Sequence, residues 1–278
     1  MSKLYPIGIQ NFESLRKDGY YYVDKTEIIY NLAKTGRYYF LCRPRRFGKS
    51  LLISTLEAYF QGKKELFTGL AMEKLEKDWI AYPILHLDLN TENYSIPQNL
   101  ELKLERALSA WEQLYGSDPA EKSLASRFEG IIQRAYEKTG QRVVILVDEY
   151  DKPMLQAIGN EALQTSYRNT LKGFYGALKS KDGCIRFGIL TGVTKFSKVC
   201  VFSDLNNLDD ISMWNEYIEI CGISDRELEI NFKDDLHELA DANGMTYEAA
   251  REKVKQYYDG CHFTHNSVGM YNPFSLLH

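Results

Sequence analysis

Hydrophobic residues along this chain follow two alternating patterns. Four short apolar runs predict buried strands, because each is too short for a buried helix and its residues are mostly β-branched or aromatic. These runs are YYFLC at 38–42, PILHLDL at 83–89, VVILVD at 143–148 and IRFGILTG at 185–192. Between and beside them, apolar residues recur at helical spacing over 50–60, 100–115, 124–136 and 163–178. The alternation predicts an α/β fold with a mostly parallel sheet covered by helices on both faces.

The pattern changes after about Ile211. Ser224 and Glu227 have the spacing of a capping box, and 225–260 is heavily charged and predicted to be almost wholly helical. The chain ends in YNPFSLLH, an apolar stretch typical of a helix start. We therefore expect a core domain over 1–222 and a smaller helical, lid-like lobe over 223–278 that is truncated at its end.

Composition narrows the class of protein by exclusion. The 34 Lys+Arg and 38 Asp+Glu residues give a net charge of -4, so no global positive field attracts nucleic acid or an anionic membrane. The five cysteines form no C-x-x-C pair, which favours reduced thiols. The N-terminus lacks a secretory pattern, and no apolar run approaches the ~20 residues that span a bilayer. These features predict a cytoplasmic protein without membrane contact.

The first strand-to-helix junction, RPRRFGKS at 43–50, carries candidate phosphate chemistry. It matches the phosphate-loop pattern G-x-x-x-x-G-K-S/T except that Arg43 replaces the first glycine. Backbone N–H groups at a helix start can cradle phosphate oxygens, Lys49 adds a positive charge near the β and γ phosphates, and Ser50 can reach Mg²⁺. The alternative interpretation is a solvated basic turn.

Two further strand ends support the phosphate-loop interpretation. The run at 143–148 ends in Asp148-Glu149, a Walker B arrangement in which Asp148 holds Mg²⁺ through its water shell and Glu149 polarises the attacking water. Thr191 emerges at the end of the fourth strand. Its hydroxyl is either a contact between the γ phosphate and the catalytic carboxylate or a satisfied strand-end group.

With these elements the sequence resembles the bacterial AAA-ATPase-like family, predicted ATPases that often precede a C-terminal domain of the PD-(D/E)XK nuclease superfamily. The resemblance runs through YYYVDKTEII, FLCRPRRFGKSLLISTLEAYF, ILVDEYDKP, LTGVTKFSKV, FSDLNNLDDIS and YYDGCHFT with YNPFSLL. RPRRFGKS is itself typical of that family. The resemblance implies a P-loop core of the additional-strand class, with the Thr191 strand between the strands that precede Lys49 and end in Asp148.

The resemblance also implies a site that binds ATP and Mg²⁺. The catalytic residues would be Lys49, Glu149 and Thr191, and the metal ligands Ser50 and Asp148. The segment 21–28 resembles one that packs near adenine, which makes Tyr22 and Val23 candidates for base contacts. The nucleotide-binding residues are therefore expected to be Tyr22, Arg45, Arg46, Phe47, Gly48, Lys49, Ser50 and Leu51.

One departure from the family pattern bears on turnover. The usual Tyr-Arg within YYDG-x-x-F reads Cys261-His262 here, so an arginine that would sense the γ phosphate is replaced. An arginine finger from this chain or from a second copy in a homo-oligomer remains an alternative. The candidates are Arg43, Arg45, Arg46 and Arg168.

Two main functions stay open at this point, and a third, a DNA-associated defence or mobile-element factor, is suggested only by the nuclease domain that accompanies the resembled family. The first is an ATPase module that converts nucleotide state into movement of the helical lobe and so controls an attached or recruited effector. The second is a nucleotide-responsive interaction module with little or no turnover. The partner implied by the resemblance is a nuclease-like domain outside this chain, with any contact to nucleic acid indirect.

Two other kinds of site are disfavoured by spacing. Asp88 with Glu101 and Lys103 offers the letters of a nuclease site, but a helix would place Glu101 and Lys103 about 200° apart. The group Cys261, His262 and His265 lacks the fourth ligand and paired spacing of a soft-metal site.

Overall fold

The computed structural model describes residues 4–195, 208–264 and 269–278. The strands are β1 Tyr38–Cys42, β2 Ile84–Asp88, β3 Val143–Asp148, β4 Ile185–Gly192, β5 Asp209–Asp210, β6 Ile223–Ser224, β7 Asp259–Cys261 and β8 Met270–Tyr271. The first helices are α1 Phe12–Lys17, α2 Thr26–Thr35, α3 Lys49–Phe60, α4 Ala71–Leu75, α5 Asn99–Tyr115 and α6 Leu124–Thr139. They are followed by α7 Lys152–Gln156, α8 Glu161–Tyr175, α9 Ala177–Ser180, α10 Asp225–Asn231, α11 Lys233–Ala242, α12 Tyr247–Tyr258 and α13 Pro273–Leu277. Short 3₁₀ turns lie at Lys64–Phe67, Asp182–Cys184, Ile211–Met213 and Asn215–Ile220.

The first five strands form one parallel sheet in the order β2-β3-β4-β1-β5. The structure confirms the α/β prediction, and the four apolar runs are the four long strands. As the resemblance implied, β4 lies between β1 and β3. Because the carboxyl ends of parallel strands meet at one edge, the segments that follow β1, β3 and β4 converge there.

Helices cover both faces of this sheet. Along β1, Tyr38 and Phe40 pack into a cluster with α5, α6 and α8, whereas Tyr39 and Leu41 pack into a second cluster with α1, α2 and α3. Successive side chains of a strand point to opposite faces, so a strand covered on both sides must be apolar at every position. This burial explains the continuous apolar runs of β1 and β3. The helix predicted over 163–178 is divided at Gly176, between α8 and α9.

The C-terminal region is less purely helical than its sequence pattern predicts. The capping box is confirmed, since the Ser224 hydroxyl accepts from the Glu227 N–H and the Glu227 carboxylate accepts from the Ser224 N–H. However, β6, β8 and β7 form a small antiparallel sheet, and β7 replaces the predicted end of the helical stretch. Strands of two or three residues are too short for a detectable period. The boundary between 222 and 223 stays a prediction, and Tyr5 and Val23 pack against the C-terminal cluster.

Arg43, the first residue after β1, is a fully buried structural residue. Its Nη1 donates to the carbonyl oxygens of Cys42 at 3.0 Å and Ser212 at 2.7 Å, and its Nη2 to those of Tyr217 at 3.2 Å and Ile218 at 3.4 Å. The guanidinium therefore ties the end of β1 to the 3₁₀ turns that follow β5. The interpretation of Arg43 as an arginine finger is wrong, because this side chain is enclosed and already bound.

A second buried charge holds the far end of α3. The Glu76 carboxylate accepts from the Tyr59 hydroxyl at 2.5 Å and from the N–H groups of Lys77 at 2.9 Å and Asp78 at 3.0 Å, and the Lys34 Nζ lies 2.7 Å away. Burial alone would raise its pKa, but these hydrogen bonds outweigh burial and lower the pKa of Glu76 to about 2. The charged form is thus the one that the fold stabilises.

We predict that replacing Arg43 destabilises the fold strongly. Arg43→Met should lower the free energy of unfolding by about 3–5 kcal/mol, because buried carbonyl oxygens lose their donor. Arg43→Lys should not restore it, since a single ammonium cannot span carbonyls that a guanidinium fork reaches. Urea unfolding measures both. Arg45→Met, at an exposed position of the same loop, is the matched control, and equal stability of Arg43→Met and Arg45→Met would refute this role.

We predict a stability loss in acid that originates at Glu76. Its pKa in the folded protein, about 2, lies below the ordinary 4.5, so its contribution is present above pH 4.5 and is lost as pH falls towards 2. Glu76→Gln should be less stable at pH 7 by about 2–3 kcal/mol, and the difference should shrink by about pH 3. Urea unfolding at several pH values tests this. Glu65→Gln, at an exposed position, should keep the parent's pH dependence.

Candidate functional site

A cleft of about 560 Å³ lies where the segments after β1 and β3 meet, a volume typical of ligand sites. One part of its lining is the stretch 45–52, and another is Glu149 with Lys152. The remaining lining is largely apolar and comes from the N-terminal segment and the C-terminal region. Its members include Tyr5, Ile7, Tyr22, Val23, Ile223, Phe232, Phe274 and Leu277.

The loop between β1 and α3 turns through two left-handed residues. Arg46 has a φ of 65° and Gly48 a φ of 94°, whereas Arg43 needs no positive φ. A Cβ at Gly48 would meet nothing within 4 Å, so conformation and not space favours glycine there. The helix α3 starts at Lys49, and its first N–H groups and positive dipole end lie beside the cleft. The loop therefore has the backbone form of an anion-binding turn without the usual first glycine.

The side chain and the backbone of Phe47 make different contacts. The ring is buried and packs edge-to-face on Phe263 with centroids 5.7 Å apart. Its carbonyl accepts from the Gly222 N–H at 2.9 Å. Gly222 has a φ of 88°, which favours glycine, and a Cβ there would also lie 3.0 Å from the Phe47 ring. Binding of nucleotide by Phe47 stays a prediction.

Lys49 and Glu149 form an ion pair beside the cleft, with the ammonium nitrogen 3.1 Å from the carboxylate. The Lys49 Nζ also donates to the carbonyl oxygens of Arg43 and Pro44, both at 3.2 Å, and the side chain is only 3% exposed. Burial raises the pKa of Glu149, and the neighbouring Lys49 opposes that rise. Glu149 has a φ of 53°, a conformation that non-glycine residues seldom adopt.

Asp148 and Thr191 are buried next to this pair and do not line the cleft. The Thr191 hydroxyl donates to Asp148 Oδ1 at 2.5 Å, so the partner that the structure gives it is Asp148 and not Glu149. The predicted contact of Thr191 with a γ phosphate stays a prediction. Carboxylate and hydroxyl oxygens are ligand types that suit Mg²⁺, which usually keeps several waters. The role of Asp148 in holding Mg²⁺ stays a prediction.

Tyr22 and Val23 line the apolar part of the cleft. The Tyr22 ring packs edge-to-face on Phe12 with centroids 5.2 Å apart, and burial raises the pKa of its hydroxyl. Leu51 and Ser50 also line the cleft. Base contacts by Tyr22 remain a prediction.

The exposed arginines of the loop contact the C-terminal region. The Arg45 carbonyl accepts from the Asn272 side chain at 3.2 Å. The Arg46 guanidinium lies over the Phe274 ring, 4.0 Å from its centroid. The phosphate-loop candidate and the start of α13 are therefore in direct contact.

Sequence reasoning missed several lining residues. Asn90 belongs to no motif that we weighed, Lys152 lies within ILVDEYDKP but was assigned no role there, and the segment 5–10 carries no periodic signal. The apolar ending 273–277 was a signal, but only the tertiary structure brings Phe274 to Arg46.

Other candidate residues lie away from the cleft or outside the described residues. Arg168 lies on α8 and is not part of the cleft lining. The Lys103 ammonium donates to the Thr91 hydroxyl at 3.0 Å outside the cleft. His265 lies outside the described residues.

Within the described ranges, none of the helices is both long and apolar enough to traverse a bilayer.

Comparisons with known proteins agree with this architecture. The family model described as Predicted AAA-ATPase matches residues 6–202. A curated relative from Azotobacter chroococcum mcd 1, described as "Uncharacterized protein in vnfD 5'region", is 39% identical over 277 residues, which are 99% of this chain and 51% of the relative. The chain thus spans about half the length of this relative. This match, together with the parallel sheet and the loop ahead of α3, shows that the chain belongs to the AAA-ATPase-like family of predicted ATPases.

Proposed function

We propose that this chain is a Mg-ATP-binding ATPase module that couples nucleotide binding and hydrolysis to the position of its C-terminal region, and so controls an attached or recruited effector. Membership of a family of predicted ATPases indicates a nucleotide-binding module. The observation that carries the finer proposal is one cleft lined by Lys49, Glu149 and residues of 223–278.

The phosphate end of the proposed site is the loop at 45–51. Its N–H groups and the start of α3 would bind phosphate oxygens. Lys49 would give up its contacts with Glu149 and two loop carbonyl oxygens and would bind the phosphate oxygens instead. When bound, Mg²⁺ would supply neutralisation of the β and γ phosphate charges, and Ser50 and Asp148 are the residues that would hold it. The Thr191 hydroxyl would orient the Asp148 carboxylate through their hydrogen bond.

Glu149 is the proposed general base. Burial already raises its pKa, and the ion pair with Lys49 restrains that rise. When Lys49 turns to a phosphate, Glu149 loses this restraint and becomes more basic. A base is most effective when its pKa approaches the working pH, so the same exchange would bind the substrate and activate the carboxylate.

Contacts between the loop and the C-terminal region support the coupling. Arg45 and Arg46, which are close to the proposed phosphates, also hold Asn272 and Phe274. A ligand that draws Arg46 towards phosphate would weaken its contact with Phe274. Nucleotide state would then bias the position of α13, because the ligand has different contacts in the two arrangements.

A second function, a nucleotide-responsive interaction module with little turnover, is favoured by one observation. Cys261 and His262 follow the start of β7 where the resembled family has Tyr-Arg, so a γ-phosphate sensor is replaced there. We further propose a cytoplasmic location, a nuclease-like domain as effector, indirect contact with nucleic acid and an optional homo-oligomer.

We predict that binding and turnover separate in two variants. Lys49→Ala should abolish measurable Mg-ATP binding, because the buried positive charge of the site is lost. Glu149→Gln should keep the affinity within a few-fold and reduce turnover by about 100-fold or more, since removal of a general base typically costs 10²–10⁴. Calorimetry measures binding and phosphate release measures turnover.

Lys64→Ala, at an exposed position outside the cleft, is the control and should behave as the parent. Retained affinity in Lys49→Ala would refute the phosphate site. Parent turnover below one equivalent per chain would favour the interaction module.

We predict that nucleotide changes the protection of α13 and that Phe274 transmits the change. Mg-ATP should alter backbone hydrogen exchange in 270–278 of the parent, and Phe274→Ala should reduce that alteration at least twofold while changing affinity by less than about tenfold, as expected for one cation–π contact of about 1 kcal/mol. Ser275→Ala, at an exposed position of the same helix, should respond as the parent. No nucleotide effect on 270–278 in the parent would contradict the coupling.

A further inference from the structure

Lys152 is a cation of the cleft that the proposed phosphate contacts do not use. It is the first residue of α7, and its N–H donates to the Glu149 carbonyl at 3.0 Å. Lys152, Glu149 and Asn90 all line the cleft. Lys152 therefore lies on the side of the cleft that follows β2 and β3, three residues after the proposed base, and its ammonium contacts Asn90.

The hydrogen bonds of Lys152 involve neutral acceptors. Its Nζ donates to the Asn90 side-chain oxygen at 2.8 Å and to the Asn90 carbonyl oxygen. An ammonium held by neutral amide oxygens gains more from a phosphate oxygen, because the phosphate is an anion and its Coulomb attraction adds to the hydrogen bond. Asn90 thus positions this ammonium without neutralising it.

Other cationic side chains of the cleft contact different kinds of partner. The Lys25 ammonium contacts both Glu227 carboxylate oxygens at 2.5 Å. The Arg46 guanidinium lies over Phe274. Lys152 differs because it lies three residues after Glu149, the proposed catalytic carboxylate, which directly follows β3.

We propose that Lys152 is a catalytic residue that donates hydrogen bonds to the γ-phosphoryl oxygens during hydrolysis; this inference rests on the proposed function. The oxygen of water bonds to the γ phosphorus while the bond from that phosphorus to the β–γ bridging oxygen breaks. The water proton passes to Glu149 and then to the released phosphate. Lys152 keeps its own proton and stabilises the charge on the transferring group from within the chain, as arginine fingers do elsewhere.

A purely structural role for Lys152 would be to tie down the segment after β2. The chain offers a matched comparison, because Lys103 donates to Thr91, the residue next to Asn90, from outside the cleft. If tethering were all that Lys152 did, Lys103→Ala and Lys152→Ala would have similar consequences.

The test measures the affinity of the whole chain for Mg-ADP alone and for Mg-ADP with aluminium fluoride, which imitates the transferring phosphoryl group. Calorimetry is applied to the parent, Lys152→Ala, Lys152→Gln, Lys152→Arg and Lys103→Ala. We expect the parent and Lys103→Ala to bind the fluoride complex more tightly than Mg-ADP. Lys152→Ala and Lys152→Gln should keep the Mg-ADP affinity within about threefold but lose at least tenfold in the fluoride complex, with turnover falling about 100-fold. Lys152→Arg should retain most of the preference.

Three results would overturn the role of Lys152. These are an equal loss for both ligands in Lys152→Ala and Lys152→Gln, no loss for either ligand, and the same loss in Lys103→Ala. Each leaves nucleotide binding by the parent intact, so the proposed function would stand. If the parent bound neither ligand, the proposed function itself would fail, and the role of Lys152 with it. Because Lys152→Gln keeps a polar side chain only one heavy atom shorter than that of lysine, it keeps the test valid if Lys152→Ala fails to fold.

Discussion

The parallel pairing of β4 between β1 and β3 is the constraint on which the rest of the structure depends. Its register places Leu41 opposite Thr191, and β3 pairs with β4 on the other side. Residues that are far apart in the chain therefore leave the sheet at one edge. The Lys49–Glu149 ion pair and the Thr191–Asp148 hydrogen bond both result from this register.

Two buried positive charges, Arg43 and Lys49, lie at this edge of the sheet. Arg43 is held by four carbonyl oxygens and acts on the fold, whereas Lys49 is held by two carbonyls and a carboxylate, which a stronger anion could replace. The two residues are six positions apart and carry the same charge, yet only Lys49 lines the cleft. Isolated buried charges are costly, so each is hydrogen-bonded, and the kind of partner separates a structural role from a candidate chemical one.

The cleft belongs to no single segment of the chain. The loop ahead of α3 supplies polar groups, and the N-terminal and C-terminal segments supply much of the apolar lining. Tyr5 packs on Phe232, with ring centroids 5.6 Å apart, and both line the cleft. A ligand there would contact residues from widely separated positions, which is the physical basis for the proposed coupling.

The sequence by itself determined the four long strands, the helices that flank them, the capping box at Ser224 and the loop at 43–50. These features depend on local periodicity, capping and burial on both faces of a sheet, all of which can be inferred from residues that are close together in the sequence. The tertiary structure alone decided that Arg43 is enclosed, that the Thr191 hydroxyl meets Asp148, that Lys152 and Asn90 reach the cleft and that Phe274 meets Arg46. Each of these depends on which distant segment fills the space beside a side chain, and periodicity carries no information about that choice.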